Sequence, residues 1–211
     1  MLTERAVDEV GRPLLSRVRW EIADTDGVGR LLPSGAVHQG AALLCDPLPA
    51  QDLEDLLAAS PAGKSTVLVL DQITDPHNVG AILRSAAAFG AGAVIVQDRH
   101  APPESGTLAK AASGALDLVP YVSVVNIART LEDLGKHGYW RIALAGDGEQ
   151  TLKEACATER VALVLGSEGE GLRRLVRERC DVTAFIPIEK RMESLNVSNA
   201  AAVALYERHG G

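Results

Sequence analysis

Apolar and polar positions divide the chain into two textures. From Thr66 onward, short runs of Val, Ile, Leu and Ala alternate with amphipathic stretches. The runs predict strands at Val67–Leu70, Ala93–Val96, Leu118–Val122, Arg141–Ala145, Val161–Leu165 and Val182–Ile186. The stretches between them predict helices at Gly80–Phe89, Leu108–Ser113, Ile127–Gly135, Arg173–Arg177 and Leu195–Arg208. Near-continuous apolar strands are those buried on both faces. Strands alternating with helices build a parallel sheet covered by helices on each side. The fold class is therefore α/β. Ligands of such sheets sit beyond the carboxyl ends of the strands, which directs attention to the residues just after Leu70, Ala145, Leu165 and Ile186.

Residues 1–55 read differently. They predict a helix from Glu4 to about Leu15, a short strand at Arg19–Ile22, a turn-rich stretch and a strand at Ala41–Leu44. That is too little to bury a core of ordinary size. Asp46–Lys64 mixes prolines, carboxylates and small residues around one short helix, Leu53–Ala59. The expected organisation is a small N-terminal domain over residues 1–48, a linker over 49–64 and a main domain over 65–211.

Composition narrows the class. The 211 residues are 46% hydrophobic and 23% charged, as in globular proteins. No apolar run approaches the roughly 18–20 residues of a membrane span, and Met1–Arg5 lacks the layout of a secretory signal. Cys45, Cys156 and Cys180 are scattered and form no CxxC pair, so neither a zinc site nor a disulfide framework is expected. A cytoplasmic protein with free thiols and no metal follows. The net charge of −7 counts against non-specific binding to polyanions but leaves room for a local basic patch. Arg173, Arg174, Arg177, Arg179, Lys190 and Arg191 cluster in sequence, either as such a patch or as a solvated helix face.

Four segments are candidates for chemistry. Ala62-Gly63-Lys64-Ser65-Thr66 resembles the end of a phosphate-binding loop, but Ala58 stands where the pattern needs glycine. The segment also precedes a strand instead of opening a helix. Gly166-Ser167-Glu168-Gly169-Glu170-Gly171-Leu172 follows a buried strand directly. Its glycines permit close backbone approach, while its two carboxylates would repel a pyrophosphate and suit a neutral or cationic ligand. Asp71–Gly80 is a polar loop entering a helix. There Asn78 is a candidate N-cap, and Arg84 lies among small and apolar residues, where it needs an anionic partner or a path to solvent. Finally, Ile186-Pro187-Ile188 and Glu193–Asn199 lead into a helix of small residues, with Ser194 or Asn196 as its cap.

The last three segments resemble, in order and in context, the three signature motifs of the SpoU (TrmH, or SPOUT) family of RNA ribose 2′-O-methyltransferases. The motifs are Asp75–Ser85, Leu163–Leu172, and Ile186–Ile188 with Glu193–Ala200, and the likeness spans about residues 66–208. Within the family it is closest to the subgroup acting on a guanosine ribose of large-subunit (23S) ribosomal RNA, a likeness that Gly35–Gly40 shares. The resemblance implies a parallel sheet with a C-terminal trefoil knot, a homodimer, and S-adenosyl-L-methionine as cofactor. It also implies an N-terminal α+β RNA-binding domain, here shortened, with its first helix and most of its first strand absent. Carried over by position, Gly166, Ile186 and Leu195 line the cofactor pocket, with Leu165, Ile188 and Ser194 beside them. Asn78, Arg84, Glu168, Ser194 and Asn196 match the catalytic positions. Two other readings remain at this point: the same chemistry on transfer RNA, or a ribosomal-RNA-binding module without chemistry.

Overall fold

The computed structural model describes residues 1–59, 63–189 and 191–210. The chain forms two compact units, Met1–Pro47 and Leu48–Gly211.

The first unit contains helices α1 (Glu4–Val10), α2 (Arg12–Leu15) and α3 (Thr25–Gly29). The helix expected from Glu4 to Leu15 is broken in two. Gly11 takes φ +82°, outside the helical region, and Pro13 follows within the first turn of α2. The strands expected at Arg19–Ile22 and Ala41–Leu44 reduce to single bridges from Leu2 to Ile22 and to Ala41. The core of this unit is Leu2, Ala6 and Leu15, with Val7 and Ala41 against them.

The second unit opens with α4 (Leu53–Ala59), whose Leu57 is buried in the core beside Val67 and Val69. Its centre is a seven-stranded sheet in the order β3-β2-β1-β6-β4-β7-β5. The strands are β1 (Ser65–Asp71), β2 (Ala93–Gln97), β3 (Tyr121–Val124), β4 (Trp140–Leu144), β5 (Gln150–Thr151), β6 (Arg160–Gly166) and β7 (Val182–Phe185). Every pairing is parallel. The helices are α5 (Pro76–Ala88), α6 (Gly106–Ala112), α7 (Ile127–Lys136), α8 (Leu152–Ala155), α9 (Arg174–Arg177) and α10 (Val197–His209).

Strand residues alternate between the two faces, and the core divides accordingly. Leu68, Leu70, Leu163 and Leu165 pack with α5, α6, α8 and α10. Val67, Val69, Ala162 and Val164 pack with α4, α7 and α9. This two-sided burial is the physical cause of the unbroken apolar runs in the sequence.

In this unit two starts move by three residues or more, one short strand and one short α-helix are new, and the other bounds shift by at most two residues. β3 starts at Tyr121 rather than Leu118, because Ala115–Asp117 forms a 3-10 turn that leaves Leu118 76% exposed. β5 and α8 carry too few apolar residues to show as periodic. α5 begins four residues earlier than Gly80. Its cap is Asp75, whose carboxylate accepts the His77 N–H at 2.9 Å, with Pro76 in the first turn. Asn78 is therefore not the cap of α5, and its side chain is left available.

Candidate active site

The carboxyl ends of β1 and β6 lie side by side, with Asp71 in register with Gly166. From β6 the chain turns through Ser167–Gly171, closed by the Gly171 N–H donating to the Ser167 carbonyl at 2.9 Å. Gly169 and Gly171 take φ +87° and +68°, values that favour glycine. A Cβ on Gly166 would overlap the main chain of Gly171, so that glycine is required by packing within the loop.

The loop carries Glu168, and one oxygen of this carboxylate joins the three motif segments. Glu168 Oε1 accepts Asn196 Nδ2 at 2.7 Å, Asn78 Nδ2 at 3.3 Å and the Val197 N–H at 3.4 Å. Asn196 Nδ2 also donates to Asn78 Oδ1 at 3.0 Å. The other end of the Asn196 side chain caps α10, its Oδ1 accepting the N–H groups of Ser198 at 2.9 Å and Asn199 at 3.4 Å. Of the two candidate caps for this helix, Asn196 holds the position.

Beside this network lies a cleft of about 560 Å³, within the range of small-molecule sites. Leu165, Gly166, Ile186, Ile188, Ser194 and Leu195 all line it, as does Glu168. Leu144, Gly146, Met192 and Glu193, not singled out from the sequence, also contribute. Its walls are apolar side chains, glycine backbone and two carboxylates, with no lysine, arginine or histidine among the described lining residues. Such a lining suits an apolar or cationic ligand and offers no side-chain countercharge to a polyphosphate.

Arg84 is not part of this network. It is exposed on α5, and no ion pair or side-chain hydrogen bond holds it among the described residues. The path to solvent is what satisfies it, and its fork of donors is free for an incoming anion.

The arginine cluster has a different character from a bare basic patch. Arg173 pairs with Asp71, Arg174 with Glu178, Arg177 with Asp147 and Arg179 with Glu132. Each of the four charges is met by a carboxylate, which weakens the field of that face. Lys190 and Ala62, the latter from the phosphate-loop look-alike, lie outside the described residues. Ser65 and Thr66 of that segment open β1. Among the described residues no cluster of three or more His, Cys, Asp or Glu side chains could hold a metal ion, and no helix is long and apolar enough to cross a membrane.

The pairing the sequence did not reveal is that of Asp71. It is fully buried and accepts from the Arg173 main-chain N–H at 3.0 Å and from Nε at 2.8 Å. A carboxylate ending an otherwise apolar buried strand was the available signal, since such a group must find a partner.

A parallel α/β sheet with a cleft and a polar network at its carboxyl edge defines a ligand-binding protein of the doubly covered class. Comparison with known proteins makes this specific. The family described as "SpoU rRNA Methylase family" matches residues 65–206, and the chain belongs to it. It is 47% identical over 185 residues to the 23S rRNA (guanosine-2′-O-)-methyltransferase RlmB of Xylella fastidiosa strain Temecula1, covering 86% of this chain and 72% of the relative. It is 44% identical over 176 residues to the RlmB of Escherichia coli K12, covering 82% and 72%. Among solved structures it resembles the SpoU methyltransferase AviRb of Streptomyces viridochromogenes in complex with AdoMet. That match has a TM-score of 0.68 and 28% identity, and covers 76% of this chain and 62% of that one.

Proposed function

We propose that this chain transfers a methyl group from S-adenosyl-L-methionine to a ribose 2′-hydroxyl of RNA, namely a guanosine of 23S ribosomal RNA. The observation that carries the proposal is the cleft. It is built from the second and third motif segments, joined to the first through Glu168, and lined by apolar groups and carboxylates without a basic side chain. These residues fit a cofactor with a cationic sulfonium and an apolar adenosine face better than a nucleotide bearing phosphates. The 23S assignment rests on relatives at 47% and 44% identity.

In this reading Leu165, Gly166, Ile186, Ile188, Ser194 and Leu195 hold the cofactor, largely through backbone and apolar contact. The cofactor supplies an electrophilic methyl group. The remaining task is to bring a ribose hydroxyl into line, and alignment of this kind supplies much of the rate. The Asn78–Glu168–Asn196 network fixes the loops around the reacting atoms. Arg84 reaches the RNA from the exposed side of α5. The planar fork of donors on Arg84 suits it to grip a phosphate and stabilise the developing alkoxide, while the hydroxyl proton passes to water.

The other parts of the proposal follow from family membership. The segment from Ile186 onward passes against the Ser167–Leu172 loop, bonded to it through Glu168, which supports a trefoil threading of the C-terminus. α10 buries Ala201, Ala204 and Leu205 yet also exposes Val203 and Tyr206, so its outer side suits a second copy of the chain in a homodimer. Residues 1–48 serve RNA binding, 49–64 join them to the catalytic domain, and the enzyme works in the cytoplasm. Calorimetric titration with S-adenosyl-L-methionine, ATP and NAD tests the ligand class. Binding of the first alone is expected, and binding of either phosphate-bearing ligand in its place contradicts the proposal.

A further inference from the structure

The loop that carries Glu168 has two feet, and Asp71 holds the chain at the first and just beyond the second. Its first foot, Gly166, is in register with Asp71 across the β1–β6 pairing. Beyond its second foot, Gly171-Leu172, comes Arg173, and Arg173 returns to the same Asp71. The carboxylate accepts the Arg173 main-chain N–H at 3.0 Å on Oδ2, and Nε at 2.8 Å and Nη2 at 2.5 Å on Oδ1. Asp71 has no exposed surface, whereas the Arg173 side chain is 38% exposed. The chain then turns at Gln72, a non-glycine residue held at φ +58°. Left-handed backbone at such a residue persists only where the surroundings impose it.

Neither Asp71 nor Arg173 lines the cleft. Their connection to it runs through the Ser167–Gly171 turn, which supplies Ser167, Glu168, Gly169 and Gly171 to the wall. A buried carboxylate must be compensated, and here the compensation is delivered by Arg173, two residues beyond the turn. The pair takes the Arg173 main-chain N–H as well as its side chain, which fixes the backbone just beyond the turn. Asp181 holds Arg141 in the same two ways, but away from the cleft.

We infer that Asp71, clamped by Arg173, is a positioning residue that sets the cofactor-facing turn Ser167–Gly171, and with it Glu168, in the geometry that binds S-adenosyl-L-methionine. The inference rests on the function proposed above for the cleft. It predicts that breaking the clamp loosens the turn even when the protein remains folded.

Asp71→Asn is the direct probe. The amide can still accept the main-chain N–H, and the half-exposed Arg173 guanidinium can turn to water, so the fold is retained. Arg173→Lys is the second probe, keeping the charge but losing the fork. Asp181→Asn is the control, since it breaks another partly buried arginine pair, with Arg141, whose members do not line the cleft. Two readouts are taken below the melting temperature of each variant. One is the Kd for S-adenosyl-L-methionine by titration calorimetry. The other is amide hydrogen exchange across residues 167–172 in the cofactor-free protein.

Supporting residues of this kind change affinity or activity by about tenfold or more. Asp71→Asn is expected to raise Kd about tenfold and to speed exchange of the turn by a similar factor, while Asp181→Asn changes neither by more than about twofold. The inference is overturned if folded Asp71→Asn leaves both readouts within twofold of the parent, or if the control shifts them equally. Should Asp71→Asn fail to fold, Arg173→Lys decides by the same criteria. If the parent protein itself does not bind S-adenosyl-L-methionine, the proposed function fails, and the exchange measurement still judges the clamp.

Discussion

Glu168 and Asn196 stand 28 residues apart and meet at 2.7 Å, the Asn196 amide donating to the Glu168 carboxylate. The contact ties the turn after β6 to the cap of α10, and Asn78 from α5 joins the same oxygen. Each of these side chains reads singly as a cap or a polar loop residue. Together they form one junction at the mouth of the cleft.

Removing the junction's acceptor tests its importance. Glu168→Ala is expected to lower single-turnover methyl transfer by about a hundredfold, the scale of losing a preorganised polar group or of a small misalignment. Because Glu168 is exposed, the melting temperature falls by only about 2–4 °C. Glu168→Gln retains an acceptor oxygen and recovers most of the rate. An alanine variant that turns over within threefold of the parent contradicts the role.

Arg84 is the group assigned to the RNA. Arg84→Ala is expected to abolish methyl transfer while cofactor affinity stays within a few-fold. The residue is exposed and has no partner among the described residues to lose, so thermal stability is unchanged. Arg84→Lys restores little, since a lysine lacks the planar fork that grips phosphate. Loss of cofactor binding in the alanine variant would make Arg84 structural.

Much of this architecture is legible in the sequence, and the reasons are specific. Val67–Leu70 and Val161–Leu165 show as strands because alternate residues serve two different cores, leaving no polar position between them. Leu118 misleads because it is apolar yet exposed. The start of α5 was marked by Asp75-Pro76, a cap and a first-turn proline, but Asn78 offered a competing cap. The six positions expected to line a cofactor pocket, with Glu168, do line one cleft, because the second and third motif segments meet at the carboxyl end of β6. The ion pairs do not follow from one sequence: Asp71 and Arg173 are 102 residues apart, and no local spacing joins them. Of the clustered arginines only Arg174 has a partner at local spacing, Glu178 four residues on; Arg173, Arg177 and Arg179 meet carboxylates from distant segments.

Acid lability has a defined contributor away from the cleft. Burial works to raise the Asp181 pKa, but the hydrogen bonds from the Arg141 side chain and main chain, with its charge, prevail and hold it below the ordinary 3.8. A depressed folded-state pKa gives stability that is complete above the unfolded value and is lost as pH falls through the folded one. Asp181→Asn is therefore expected to be less stable than the parent at pH 6, measured by urea unfolding. The gap should close as the pH falls from about 4 toward 2. A gap of constant size across that range contradicts the assignment.

The thiols differ in reach. Burial pushes Cys156 up to about 11 and Cys180 up to about 12, while Cys45 is exposed. Thiolate is the reactive form, so Ellman's reagent at pH 8 is expected to titrate one thiol per chain rapidly. The other two should appear only on unfolding. Rapid reaction of all three would show that Cys156 and Cys180 are not held as described.

The most direct test of the central claim is transfer of radiolabelled methyl from S-adenosyl-L-methionine to ribosomal RNA lacking the modification, with the modified position mapped. Label on a single guanosine 2′-hydroxyl of 23S ribosomal RNA, absent with Arg84→Ala, is the predicted result. Label confined to transfer RNA, or cofactor binding with no transfer to any RNA, would contradict it.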